Sequence, residues 1–281
     1  MNRTDDSHTF DGVIDLLAFG AHPDDAEICC GGLLASAAKR GHRTAIVDLS
    51  RGELGSLGTP ELRAAEAERA ARILDVAHRE NLGLPDGWIF PYSGYDADAA
   101  ERPAISQLTK VVGVLRRLRP TVVLIPWAHE RHPDHEAASA LLDKALFFAG
   151  VRKFPAGNGK PDLPPFSPAE VLYYPMRYDP EPSFITDISD VVEQKGEAIR
   201  AYASQLTRSA PVLEDPSHPS PLIASSLTLE AFEARDRAYG ARIGTRAGEP
   251  YVCRGTLNLP DPVSFFRETP TRGALFFGRP R

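Results

Sequence analysis

Two short segments carry the residue types best suited to chemistry, residues 21–27 (AHPDDAE) and residues 132–135 (HPDH). Imidazole and carboxylate are ligands that zinc accepts, and a catalytic zinc keeps three protein ligands and one open position for water. Two histidines and one aspartate would satisfy that count. A single His-Pro-Asp segment is only a turn, because proline fixes φ and aspartate caps the following helix. Its occurrence twice favours a metal site.

Each segment directly follows a run of residues that predicts a buried strand. Residues 13–21 (VIDLLAFGA) are too apolar for a half-exposed strand and too few for a buried helix, and residues 121–126 (TVVLIP) are apolar and β-branched. In an open parallel sheet the carboxyl ends of the strands share one edge. We therefore expect the two segments to meet in a crevice at that edge, although they are far apart in the chain.

Helical patterns alternate with these strands along the first half of the sequence. Helices are predicted over residues 26–40, from Pro60 onward, over 105–118 and over 135–150, with further strands over 44–50 and 81–84. Strands that alternate with helices of this length predict a parallel sheet that is covered on both faces. We predict an α/β fold, a Rossmann-like three-layer sandwich with a mostly parallel sheet.

The second half of the chain is less regular and rich in proline. Short strands are predicted over 171–174 and 184–185, and helices over 191–205 and 229–243. These pieces are too short and scattered to build a core of their own. We therefore interpret residues 1–281 as one domain, in which 13–150 form the core and 151–281 wall the active site. Residues 209–226 are either a lid or a surface loop, and the lack of periodicity favours the loop.

Composition excludes several classes of protein. The formal net charge is −6 and no basic run occurs, so a nucleic-acid or anionic-membrane surface has no electrostatic basis. Three cysteines without C-x-x-C spacing argue against a disulfide framework and a thiolate zinc site. The N-terminal residues do not resemble a signal peptide and no apolar run reaches transmembrane length. We expect a cytoplasmic protein that acts on a small molecule.

Three segments together resemble one family. The segments AHPDDAEICCGG, SRGELGSLGT and RHPDH are similar to those of the LmbE/PIG-L family of metal-dependent N-acetylglucosaminyl deacetylases. The similarity is strongest to the branch that deacetylates N-acetylglucosaminyl-malate in bacillithiol synthesis, which the stretches RENLGLPDG, PSFITDIS and GEPY also resemble. The resemblance implies a zinc-dependent hydrolase and a homo-oligomer, with a hexamer as one arrangement.

The resemblance also implies a role for each motif residue. The implied metal ligands are His22, Asp25 and His135. Asp24 would act as the general base, and His132 would stabilise the oxyanion or protonate the leaving amine, with Asp134 orienting its ring and keeping it charged. Physical reasoning agrees with this division, because a carboxylate beside a metal can take a proton from the attacking water, and a positive partner stabilises an oxyanion.

Two arginines are predicted at the same edge of the sheet. Arg51 ends the second predicted strand and Arg131 precedes the second motif. Arginine presents a fork of donors to carboxylate or phosphate, so the pair suggests an anionic group on the sugar, such as malate. Some relatives in the mycothiol branch carry an aromatic residue where this chain has Glu130, which leaves open whether Glu130 or His129 takes part at the site.

Other hypotheses remain open at this point. The metal chemistry would serve equally for another N-acetyl sugar of the chitobiose type or for a mycothiol-like conjugate amide. A protein of a different class, a nucleotide-binding α/β protein with purely structural turns, would need a glycine-rich phosphate turn after the first strand, where this chain has His22-Pro23. A His-Asp-His site would also accept iron(II), cobalt or manganese in place of zinc.

Overall fold

The computed structural model describes residues 13–90, 103–156, 163–206 and 226–268. The strands are β1 (Leu16–Gly20), β2 (Thr44–Ser50), β3 (His78–Leu84), β4 (Val122–Pro126), β5 (Glu170–Tyr174), β6 (Phe184–Asp187) and β7 (Gly248–Cys253). The helices are α1 (Asp25–Lys39), α2 (Pro60–Ile73), α3 (Pro103–Leu118), α4 (Pro133–Ala149), α5 (Val192–Arg200), α6 (Ala203–Leu206), α7 (Ser226–Ile243) and α8 (Pro262–Glu268).

The strands form one mixed sheet in the order β3-β2-β1-β4-β5-β7-β6. The first five strands in this order run parallel, and β7 pairs antiparallel with both β5 and β6. The connection from β1 leads to β2 on one side, whereas β4 is added on the other side of β1. This reversal opens a crevice outside the carboxyl ends of β1 and β4, where α/β proteins place their sites.

Each face of the sheet packs against its own layer of helices. Leu16 and Ala18 of β1 belong to the core beneath α1, α2 and α5, whereas Leu17 and Phe19 belong to the core beneath α3 and α4. Successive side chains of a strand point to opposite faces, so a strand buried on both sides is apolar throughout. The predicted three-layer α/β fold is confirmed.

The middle of α1 is bound to β7 by a buried carboxylate. The two oxygens of Glu249 in β7 accept hydrogen bonds from the backbone N–H groups of Gly32 and Leu33, each at 2.8 Å. The Nζ of Lys195 in α5 lies 2.9 Å from Glu249 and 2.6 Å from Asp236 in α7. A Cβ at residue 32 would lie 2.6 Å from Ile188, so the close approach of Ile188 to α1 requires glycine at this position.

Several predicted boundaries differ from those observed. Strand β3 begins at His78 rather than residue 81, because its pairing with β2 starts at Ala45. The helix predicted over 191–205 is two helices, α5 and α6, interrupted where the buried Tyr202 reaches inward. Strand β7 was not predicted, because Glu249 and Pro250 interrupt its apolar pattern and proline is unfavourable within a strand.

Strands β5, β7 and β6 come from the second half of the chain and extend the sheet of the first half. The interpretation of residues 1–281 as one domain stays a prediction. The lid or loop predicted over 209–226 falls almost entirely on residues 207–225, which lie outside the described residues. None of the helices within the described ranges is long and apolar enough to cross a membrane.

Candidate metal and substrate site

The two motif turns meet at the carboxyl ends of β1 and β4, as the sequence predicts. His22 follows β1 and His132 follows β4, and their rings are 4.8 Å apart between centroids. Both line a cavity of about 350 Å³, together with residues from the loop after β2, the loop after β3 and the loop after β5. The sheet therefore supplies the site from the ends of its parallel strands.

The three predicted metal ligands lie together at the base of this cavity. His135 Nε2 is 3.3 Å from Asp25 Oδ1, and His22 Nδ1 is 3.8 Å from Asp25 Oδ2. Two ligand atoms of a tetrahedral zinc are about 3.3 Å apart when each bond is about 2.05 Å. Asp25 and His135 are buried. The chemistry and spacing of these donors therefore fit a divalent cation.

A second donor set overlaps the first. The nitrogens of His22, His132 and His135 lie within 4.8 Å of one another, and so do ligand atoms of His22, Asp86 and Asp134. His132 is exposed, whereas Asp25 is buried and accepts a 2.9 Å hydrogen bond from the backbone N–H of His22. A carboxylate anchored to the same turn is the better placed third ligand, and His132 remains available to substrate.

Two carboxylates lie close to Nε2 of His22. His22 Nε2 lies 3.1 Å from Asp86 Oδ1 and 3.3 Å from Asp134 Oδ2. Burial lowers the pKa of His22, but the hydrogen bonds to Asp134 and Asp86 and the charge of Asp25 outweigh it and raise the pKa to about 10. The negative charge of these three carboxylates also favours a bound cation. Such carboxylate–histidine contacts fix the orientation of a metal-ligating ring.

The position of Asp134 corrects one expectation. Its carboxylate was expected to hold His132 and keep that ring charged, but Oδ2 faces His22 and accepts a 2.7 Å hydrogen bond from Gly87 N–H. The reason is geometric, because Asp134 lies in the first turn of α4 and its side chain is directed toward the turn after β1 and the loop after β3. Only its backbone N–H contacts His132, donating to Nδ1 at 3.2 Å. Burial and the charges of His22 and His135 lower the pKa of His132.

Asp24 lies at the N-terminus of α1 in a constrained conformation. Its φ is 108°, in a region that L-residues rarely adopt, and its side chain is buried. Arg63 Nη2 lies 3.6 Å from its carboxylate and also donates a 2.6 Å hydrogen bond to the carbonyl of Pro23, which holds this turn in place. Burial raises the pKa of Asp24 to about 7, against the opposing charge of Arg63.

Glu130 has a structural contact in the chain. Its carboxylate accepts hydrogen bonds from the backbone N–H groups of Met176, at 2.7 Å, and Arg177, at 3.1 Å. Glu130 thereby joins the loop after β4 to the loop after β5. His129 is exposed and contacts the ring of Trp127, edge to face at 6.0 Å between centroids. His129 does not belong to the described residues that line the cavity.

The two predicted substrate arginines occupy different places. Arg131 lines the cavity, directly before the second motif. Arg51 lines a neighbouring pocket of about 270 Å³, and its guanidinium lies over Gly83 of β3. Arg51 is not among the described residues that line the cavity, although residues 54–57 of the same loop are.

Sequence reasoning missed three charged residues that line the cavity. These residues are Arg63, Asp86 and Arg177. Asp86 and Arg177 each lie within three residues of the carboxyl end of a strand, so the rule that located the two motifs could also have found them. Arg63 lies within α2, and its sequence context offers no comparable signal.

Comparison with known proteins identifies the family of this chain. A cluster of histidine and carboxylate at the reversal point of a parallel sheet is typical of a metal-dependent hydrolase. Residues 17–146 match the PIG-L family, described as GlcNAc-PI de-N-acetylase. A diacetylchitobiose deacetylase of Thermococcus kodakarensis is 32% identical over 213 residues, which cover 74% of this chain and 76% of the relative.

Two further proteins extend the comparison. A 1D-myo-inositol 2-acetamido-2-deoxy-alpha-D-glucopyranoside deacetylase of Rhodococcus erythropolis is 26% identical over 68% of this chain and 81% of its own length. The crystal structure of the conserved protein TT1542 from Thermus thermophilus superposes with a TM-score of 0.72 at 38% identity, over 88% of this chain and 98% of that one. The chain belongs to the PIG-L/LmbE family, and the prediction of a metal-dependent N-deacetylase is confirmed.

Proposed function

We propose that this deacetylase hydrolyses the acetamide of an N-acetylglucosaminyl conjugate whose aglycone is anionic, with N-acetyl-α-D-glucosaminyl L-malate of bacillithiol biosynthesis as its substrate. The observation that carries this proposal is the joint position of the His/Asp cluster and Arg131 on one cavity. The relatives named above, deacetylases of diacetylchitobiose and of an acetamido-glucopyranoside, support the sugar. The guanidinium supports the anion.

We propose His22, Asp25 and His135 as the residues that hold the metal, with zinc as the ion. When bound there, a divalent cation supplies Lewis acidity to the acetamide carbonyl and lowers the pKa of a water molecule. Asp86 and Asp134 contribute by orienting the ring of His22 through Nε2. Iron(II) would be accepted by the same donors, so the metal in the cell is a matter for measurement.

Asp24 is the proposed general base. Its carboxylate lines the cavity beside Asp25 and takes a proton from the attacking water as oxygen bonds to the acetyl carbon. The protonated Asp24 then gives this proton to the sugar nitrogen as the C–N bond breaks, which releases acetate and the free amine. Arg63, 3.6 Å away, keeps the carboxylate in position without forming a close ion pair that would remove its basicity.

His132 is the proposed stabiliser of the oxyanion. Its Nδ1 accepts a hydrogen bond from the backbone N–H of Asp134, so a neutral ring carries its hydrogen on Nε2. A neutral imidazole of this tautomer donates a hydrogen bond to the developing oxyanion rather than a proton to the amine. This assignment selects between the two roles that the sequence left open for His132.

Diacetylchitobiose is the second candidate substrate, because the relative that is 32% identical is a deacetylase of that sugar. One experiment separates the candidates. Acetate release by the zinc-loaded enzyme is measured with the malate conjugate, methyl N-acetylglucosaminide and diacetylchitobiose. We expect kcat/KM for the malate conjugate to exceed that for the methyl glycoside by about tenfold or more, the gain of one charge-assisted hydrogen bond. Equal values would refute the anionic aglycone, and a preference for diacetylchitobiose would favour the second candidate.

A further inference from the structure

A second arginine lines the cavity, on the loop next to the one that carries the second motif. Arg177 follows β5 by three residues and lines the same cavity as Arg131. The two arginines are far apart in the sequence, since one follows β4 and the other follows β5 in the proline-rich half of the chain. The parallel pairing of β4 with β5 places both loops at one edge of the sheet.

Neither guanidinium has an acidic partner among the described residues. Within the four described ranges, no carboxylate lies within 4.0 Å of the guanidinium of Arg131 or of Arg177. The nearby carboxylate of Glu130 instead accepts the backbone N–H groups of Met176 and Arg177. Burial and the charge of Arg131 lower the pKa of Arg177, so the two cations repel one another. An anion between them would relieve this repulsion.

The side chain of Arg177 contacts an aromatic ring that also lines the cavity. Its guanidinium lies over the ring of Phe232, 5.4 Å from the centroid, and Phe232 itself lines the cavity. Cation–π contact of this kind restrains a guanidinium but leaves its N–H donors free for a ligand. The ring of Phe232 therefore restrains the guanidinium of Arg177 beside the cavity.

Beyond Arg177 lies space for an aglycone. A second cavity of about 310 Å³ shares Met176 and Arg177 with the first. Two other arginines line it, but Arg235 donates to backbone carbonyls, including that of Met176 at 3.0 Å, and Arg242 pairs with Glu181 at 2.6 Å. Among the described arginines of this second cavity, Arg177 is therefore the one whose charge is available to a ligand.

We propose that Arg177 determines specificity, binding the anionic group of the aglycone jointly with Arg131. The ligand class is a carboxylate or phosphate group attached to the sugar, with the remainder of the aglycone extending into the second cavity. This inference rests on the proposed function, because it assumes that the sugar enters with its acetamide at the His/Asp cluster. Two guanidinium groups on adjacent loops of one cavity would hold one anionic group in a single orientation.

The test compares Arg177→Gln and Arg177→Lys with the wild-type enzyme. Arg246→Gln is the matched control, since Arg246 is an exposed arginine that pairs with Glu193 and lines neither cavity. Steady-state constants are measured for N-acetylglucosaminyl malate and for methyl N-acetylglucosaminide. The inhibition constants of free L-malate and inorganic phosphate are measured with the methyl glycoside as substrate.

We expect Arg177→Gln to raise KM for the malate conjugate about tenfold and to leave kcat and the constants of the methyl glycoside within about twofold. The inhibition constant of L-malate should rise by a similar factor. Arg177→Lys should recover part of the loss, because it keeps the charge and loses the fork. Arg246→Gln should match the wild type. An equal loss on both substrates, or no loss on either, would overturn the inference.

The same measurements separate this inference from the proposed function. If the wild-type enzyme does not prefer the malate conjugate, the proposed substrate fails, and the inhibition constants then decide about Arg177. A weaker inhibition of Arg177→Gln by L-malate or phosphate would sustain the anion site. Unchanged inhibition by both would remove it. If Arg177→Gln does not fold, Arg177→Lys tests the inference through the smaller rise in KM and in the inhibition constant of L-malate that the loss of the fork should cause.

Discussion

Asp24 offers the sharpest test of the mechanism, because its backbone and its carboxylate can be perturbed separately. At a φ of 108°, asparagine is tolerated better than alanine, since its short polar side chain accepts positive φ. Asp24→Asn therefore removes the base and retains the turn. General-base catalysis contributes about 10²- to 10⁴-fold, so we expect kcat to fall by that factor.

Asp24→Ala separates the effect of the backbone from that of the base. Placing alanine at this positive φ should cost about 1 kcal/mol more than asparagine, which lowers the melting temperature by about 2–4 °C in a protein of this size. Activity should be lost equally in both variants, and the melting temperature should differ between them. Asp24→Gly, which accepts the φ, should melt closer to Asp24→Asn.

The assay measures acetate release together with the metal content of each purified variant. The proposed role requires that Asp24→Asn loses turnover and keeps its metal. Turnover within about threefold of the wild type would refute the assignment of the base, because the smallest effect expected of a general base is about a hundredfold. Loss of the metal along with activity would show that Asp24 is a ligand instead.

Three further predictions concern the metal, the arginines and the core. Alanine replacements of the proposed ligands should abolish stoichiometric metal binding, as measured by elemental analysis. His132→Ala should retain the metal and lose activity. Loss of metal in His132→Ala would indicate that the three histidines hold the metal instead. The ligands to replace are His22, Asp25 and His135. Arg51→Gln should leave the preference for an anionic substrate unchanged, because Arg51 lies outside the cavity, and a lost preference would contradict that placement. Lys195→Met should lower the free energy of unfolding, measured by denaturant titration, by about 3–5 kcal/mol, because it leaves the carboxylate of Glu249 buried without its cation. A change below about 1 kcal/mol would refute a stabilising contribution of this ion pair.

The sequence was sufficient to predict the core of the fold and the meeting of the two histidine motifs at one edge of the sheet. Runs such as 13–21 are apolar almost throughout because strands buried on both faces rarely carry polar residues, and this pattern does not depend on distant contacts. The rule that parallel strands share a carboxyl edge then predicts that His22 and His132 meet. Both inferences rely on local pattern and on the regular geometry of parallel sheets.

The remaining features depend on contacts that no local pattern encodes. The carboxylate of Asp134 faces His22 rather than His132 because the N-terminus of α4 fixes its direction. Arg177 reaches the cavity only because β5 pairs beside β4, and the sequence does not state that order. Strand β7 is stabilised by pairing with β5 and β6, which are distant in the chain, so its own residues look unfavourable when considered alone.

The carboxylate of Glu249 has a consequence for how the chain can be divided. Residues 17–146 match the family and contain both histidine motifs, so they resemble a minimal catalytic module. Yet the helix that begins at the first motif has two N–H groups that donate to the carboxylate of Glu249 in β7. A fragment that ends before β7 would lack Glu249 and would leave the buried ammonium of Lys195 without this partner. We expect such a fragment to be recovered as insoluble protein, and soluble, metal-binding material would contradict this. The shortest portion that carries the chemistry is thus longer than the portion that carries the motifs, and synthesis must pass residue 249 before the site can assume its final shape.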